Sequence, residues 1–223
     1  MDGLMDIDAA RALVSDAALW PRVRDFLWNF APQIHASWLP SLQSLPSLPS
    51  SPRISRWLLA QLNVEPCFHP FPSTDASRLL LLDSDTLVPI AHWLGTLASA
   101  SALRRVTGGA EVRALKTALP GVYPAVFSYA PYFAKTGILD TSQETSPDAI
   151  QTHGFSLLLS VLSDLPPPLL RRLALKLPAT ISGQSFSPST DISNDSTVKR
   201  SNGQTVKLLL KLRFPEAFSL CFS

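Results

Sequence analysis

Apolar residues return every three or four positions through much of the chain, which is the period of an amphipathic helix. Asp8 caps a first predicted helix with Ala9, Ala12, Leu13 and Leu19 on one face, and Pro21 opens a second that carries Val23, Phe26, Leu27 and Phe30. Trp20 and Trp28 flank that second segment and are expected as core anchors. The Pro/Ser/Leu tract from Pro40 to Pro52 reads as an extended connector, because proline fixes φ and removes donors. A helix restarts at Pro52 through Ile54, Leu58, Leu59 and Leu62, before a Pro-rich loop over 65–72.

The central helix is predicted from Ser84 or Asp85 to about Val106, with Pro89 placed in its first turn. Leu87, Ile90, Leu94 and Leu97 form a bulky stripe on it. Beside them Ala91, Gly95, Ala98, Ser99 and Ala102 form a stripe of small residues that lets a neighbouring backbone come close. Gly108 and Gly109 end this helix, and a shorter one with Val112, Leu115 and Leu119 follows to the Pro120-Gly121 turn. An aromatic-rich helical or turn segment covers 123–133. Ser146-Pro147-Asp148 then starts a helix through Ile150, Phe155, Leu158, Leu159 and Leu162.

Two later stretches alternate with period two. In Arg172 to Leu177 strand and helix stay open; in Val206 to Phe214 the leucines and lysines favour helix. The expected fold class is therefore mainly α, a single helical domain with room for a small β ribbon near the C-terminus. Residues 1–178 form the helical body, 179–204 a mobile Ser/Thr/Asn-rich linker, and 205–223 a C-terminal segment packing back on the body.

Composition supports a folded chain. In 223 residues, 46% are hydrophobic and 16% charged, enough to supply a core. The formal net charge of +2 is low for a protein that neutralises phosphates, so nucleic acid is not an expected partner. The basic residues concentrate between Arg171 and Arg213 and are expected as a solvated face suited to an acidic protein surface. The first twenty residues have neither the basic start nor the apolar run of a signal peptide, and no apolar window reaches the length of a membrane span, so a cytoplasmic protein is expected.

No catalytic set is assembled. His35, His69, His92 and His153 lie in separate segments without ligand spacing, so no metal site is expected. Cys67 and Cys221 are far apart and read as free thiols; Cys67 beside His69 lacks an orienting third group. Gly108-Gly109 lacks the Lys-Ser/Thr of a phosphate loop, and no cofactor is implied. His92 falls opposite Leu87 and Leu94 and is expected to be half exposed or hydrogen-bonded. The candidate partner-binding residues are Trp93, Leu97, Arg104 and Arg105: with Ala100, the first three make an i, i+4, i+7, i+11 row that could present an aromatic ring and an arginine. The alternative for Trp93 is core.

The order of several short motifs resembles the SctK-type accessory proteins of bacterial type III secretion, the group of YscK, MxiK and OrgA. These motifs are Ser37-Trp38-Leu39-Pro40, Arg78-Leu79-Leu80-Leu81-Leu82-Asp83, Trp93-Leu94-Gly95 followed by Leu103-Arg104-Arg105-Val106, and Arg172-Leu173-Ala174-Leu175-Lys176-Leu177-Pro178. The resemblance implies a non-enzymatic adaptor of the sorting platform at the cytoplasmic face of the inner membrane. It would link the SctD-type inner-membrane ring to the SctQ-type pod protein. The competing readings are a small hydrolase using Cys67 or an unidentified serine, and a peripheral membrane protein using its basic C-terminal part.

Overall fold

The computed structural model describes residues 19–39, 51–64, 75–139, 141–179 and 196–222. Among them are ten α-helices, several 3-10 turns and no strand. The mainly α expectation holds, and the β ribbon does not form. The helix expected after Asp8, the Pro-rich loop with Cys67 and His69, and residues 180–195 of the expected linker lie outside the described residues. Two compact units can be distinguished: Met1–Ser84 with Asp164–Ala179 and Leu220–Ser223, and Asp85–Ser163 with Thr180–Ser219.

The first unit holds α1 (Trp20–Trp28), α2 (Pro52–Gln61) and α8 (Pro167–Leu175), with 3-10 turns at Ala31–Gln33, Ala36–Trp38 and Asp75–Leu81. Each of its three helices has proline in the first two positions, where the missing N–H costs no bond. Helix α1 turns Val23 and Phe26 inward, and Leu19 and Phe30 are buried on either side of it. Helix α2 turns Ser55, Leu58 and Leu59 inward, and the Ser55 hydroxyl accepts the Ala31 N–H at 3.0 Å, joining α2 to the chain leaving α1. Trp20 and Trp28 are not core anchors: they are 39% and 48% exposed, outside the arc of α1 that Val23 and Phe26 bury.

The second unit holds α3 (Ser84–Ala98, less its first residue), α4 (Ala100–Arg104), α5 (Gly109–Ala118), α6 (Val126–Tyr129), α7 (Pro147–Val161) and α9 (Ser196–Arg213), with a 3-10 turn at Ala130–Thr136. The last helix, α10 (Pro215–Phe222), shares its residues between the units. The predicted central helix is interrupted at Ser99, since the Ala98 carbonyl accepts the Ser142 N–H at 3.1 Å. Pro89 stands in the second turn of α3, not the first; the bond it forgoes would run to the carbonyl of exposed Asp85.

The small stripe has the expected role. A Cβ on Gly95 would collide with the Ile150 carbonyl of α7, and one on Gly154 with the Ala91 carbonyl of α3, so the helices touch backbone to backbone. Helix α9 packs on α7 through Asn202, Thr205, Val206, Leu209 and Leu210, all buried at helical spacing. Asn202 donates to the Ser160 hydroxyl at 2.9 Å. The helix begins at Ser196, so the final part of the segment expected as a linker is helical.

Candidate functional site

The residues of the family resemblance that fall in the first unit meet around α8. Arg172 and Lys176 are 3% and 0% exposed, buried where a solvated basic face was expected. Arg172 Nη1 donates to the carbonyls of Phe26 and Leu27 at 2.7 and 2.9 Å, in the last turn of α1. Lys176 Nζ donates to the carbonyls of Leu80 and Leu82 at 2.6 and 3.0 Å, where the 3-10 turn of 75–81 ends. Carbonyls at helix ends lack intrahelical partners and carry partial negative charge, so a cation is well matched to them. The Phe26 ring lies under both cations, at 5.9 Å from the Arg172 guanidinium carbon and 5.0 Å from the Lys176 nitrogen. Burial pulls the Lys176 amine down to about 7; Asp83 opposes that shift and Arg22 adds to it.

The far end of α8 is closed by the Ser37-Trp38 segment. His35 N–H donates to the Leu175 carbonyl at 2.8 Å, and the Trp38 indole N–H donates to the Leu177 carbonyl at 2.9 Å. The Ser37 hydroxyl accepts the Ala179 N–H at 2.8 Å. Three motifs distant in sequence are thus joined by hydrogen bonds from side chains to backbone. Pro40, the last residue of the first motif, lies outside the described residues.

In the second unit the candidate row divides. Trp93 is 3% exposed and Leu97 and Ala100 are buried, so the interior claims them. Arg104 and Arg105 are exposed, and the Arg104 guanidinium lies over Phe127 at 5.9 Å. What covers Trp93 is a cluster that the sequence pattern did not indicate. Tyr129 packs edge-on to Trp93 at 5.4 Å, and Arg213 from the end of α9 lies 5.0 and 5.1 Å from the two rings. Arg213 also donates to the Tyr129 hydroxyl at 3.1 Å. Tyr132, 6.4 Å from Tyr129, is 65% exposed. Arg213 and Tyr129 lie 84 positions apart, beyond the reach of periodicity. The signal for buried Arg172 and Lys176 was present: at 100° per residue they share an arc of about 100° with Leu169 and Leu173.

His92 is half-buried with its ring edge-on to Phe155 at 6.4 Å, and burial lowers its pKa. Burial also lowers that of His153, against a smaller opposing effect of Glu144. Among the described residues no group of His, Cys, Asp or Glu could hold a metal ion, and no helix is long and apolar enough to cross a membrane.

The family model of YOP proteins translocation protein K (YscK) matches residues 24–222. The chain belongs to the YscK family. It is therefore a protein of a type III secretion system, in a family of accessory components. The match to the YscK model spans both α8 with its carbonyl contacts and the Arg213 cluster. No curated protein and no solved structure matches the chain.

Proposed function

We propose that this YscK-family protein is a non-enzymatic adaptor of the sorting platform, working in the cytoplasm at the inner membrane. It links the cytoplasmic domain of an SctD-type ring protein to an SctQ-type pod protein. In the second unit the contact surface comprises Arg104 and Arg105, together with Arg213 and the tyrosines beside it.

The observation that carries this reading is a pair of exposed arginines, Arg104 and Arg213, laid over aromatic rings, with exposed Arg105 next to the first. Arg104, Arg105 and Arg213 are all exposed to solvent. Arginine and aromatic rings are the side chains most enriched at binding hot spots, and a guanidinium held over a ring is already ordered for a partner's carboxylate. The test is a pull-down of purified ring and pod domains with Arg104→Glu, Arg105→Glu and Arg213→Glu, each checked by circular dichroism. Loss of one partner with the fold retained supports the reading; unchanged capture of both by all three variants contradicts it.

A further inference from the structure

We propose that the first unit carries a second docking surface, the outward faces of α1 and α2, and that its occupant is an acidic protein segment bearing apolar side chains. The inference rests on the adaptor reading and assigns it a second contact.

Trp20, Arg24 and Trp28 follow one another at i, i+4 and i+8 along an exposed row of α1, outside the arc of its buried residues. The two indoles are packed edge to face at 6.1 Å, so the pair is ordered before any partner arrives. On α2, Trp57 is 57% exposed, with Arg53 one turn before it and Arg56 beside it, both exposed. The charges of the two helices are Arg22, Arg24, Arg53 and Arg56 against Asp25. Asp25 is held by Arg24 at 3.3 Å and by the Asn29 amide at 2.9 Å. An ion pair between exposed neighbours is weak and yields readily to a partner carboxylate.

Three indoles held at the surface are a large apolar investment with no use in the core of this unit. Arginine forks among them match carboxylates in bidentate geometry. A lipid surface fits less well. Arg24 lies in the same row as both indoles with Asp25 beside it, and insertion of the rings into a bilayer would carry that exposed charge pair out of water, whereas a protein segment brings its own carboxylate to the arginine.

The test titrates the full chain, followed by tryptophan fluorescence, with three probes: an amphipathic peptide of Glu, Leu and Phe, the same peptide with Lys for every Glu, and phosphatidylserine/phosphatidylcholine vesicles. The Glu peptide is expected to shift the emission and to bind at least about fivefold more tightly than the Lys peptide. Trp28→Ala and Arg24→Glu should each weaken it by about fivefold or more. Lys116→Glu, exposed on α5 and outside both proposed surfaces, should leave it unchanged; the pull-down reads the Arg104 surface alone, so that a failure there and a failure here are told apart. Equal binding of both peptides, binding of vesicles alone, or no response because the indoles are already shielded from acrylamide by the chain itself would each overturn the proposal.

Discussion

Arg172 and Lys176 stand one helical turn apart on α8 and donate to the terminal carbonyls of two different segments, α1 and the turn ending at Leu82. One short helix thereby fastens two others in the first unit, with carbonyls in place of carboxylates. Such a device tolerates little change. Arg172→Met leaves the Phe26 and Leu27 carbonyls without this donor and is expected to cost about 1 to 3 kcal/mol, with a lower urea midpoint as the readout. Lys176→Glu sets a carboxylate against two carbonyls in the interior and is expected to abolish folding, seen as loss of the helical circular dichroism signal.

The Lys176 amine gives a pH dependence whose sign follows from its shift. Its value of about 7 in the folded protein is well below the ordinary 10.5. Between these values the unfolded chain holds a proton that the folded protein does not, so stability rises with pH across that window and is flat on either side of it. Urea denaturation of the wild type and of Lys176→Met at pH 6.5, 8 and 9.5 isolates the effect: the wild type should gain on the variant at each step upward. A constant difference would show that Lys176 does not change its protonation on folding.

Gly95 and Gly203 should respond in opposite ways to alanine. Gly95→Ala drives a methyl group into the Ile150 carbonyl, and the crossing of α3 and α7 must open; the expected cost is about 1 to 3 kcal/mol or more. Around Gly203, inside α9, nothing beyond its chain neighbours and its own helix backbone lies within 4 Å of an added Cβ, so Gly203→Ala should stabilise by roughly 0.5 to 1 kcal/mol. Thermal melts of the two variants check both signs.

Leu94 and Arg104 separate folding from binding in the second unit. Leu94 is buried in the bulky stripe, and Leu94→Asp places an unpaired carboxylate there at a cost of several kcal/mol against a total of roughly 5 to 15. That variant should not fold. Arg104→Glu gives up an exposed contact with Phe127 and a cation at a helix end, together about 1 to 2 kcal/mol, and should fold with its helix content intact. Circular dichroism spectra of the pair decide it.

The helices themselves were legible where proline marks their starts. Pro21, Pro52 and Pro147 begin helices where local chemistry placed them, and the small stripe of 91–102 foretold the close approach of α7. The alternation in 172–177 left strand and helix open, and helix forms there with the positions between the leucines buried too. Ala174 is small, and Arg172 and Lys176 go inward only because acceptors 146 and 96 positions away meet them there. The break at Ser99 has the same character, since it depends on Ser142 reaching the Ala98 carbonyl. At the candidate site, periodicity set Trp93 and Arg104 in one row, which the structure divides between interior and surface. It did not reveal that Arg213 would cover Trp93 and leave Tyr132 as the exposed ring.

The adaptor reading is tested most directly by following a fluorescent SctQ-type pod protein in cells of the source bacterium whose gene for this chain has been deleted. Pod foci at the membrane should disperse on deletion and return with the wild-type gene. They should stay dispersed with a folded Arg104→Glu/Arg105→Glu/Arg213→Glu variant expressed at the same level. Foci that persist without the protein, or return in full with that variant, would contradict the account.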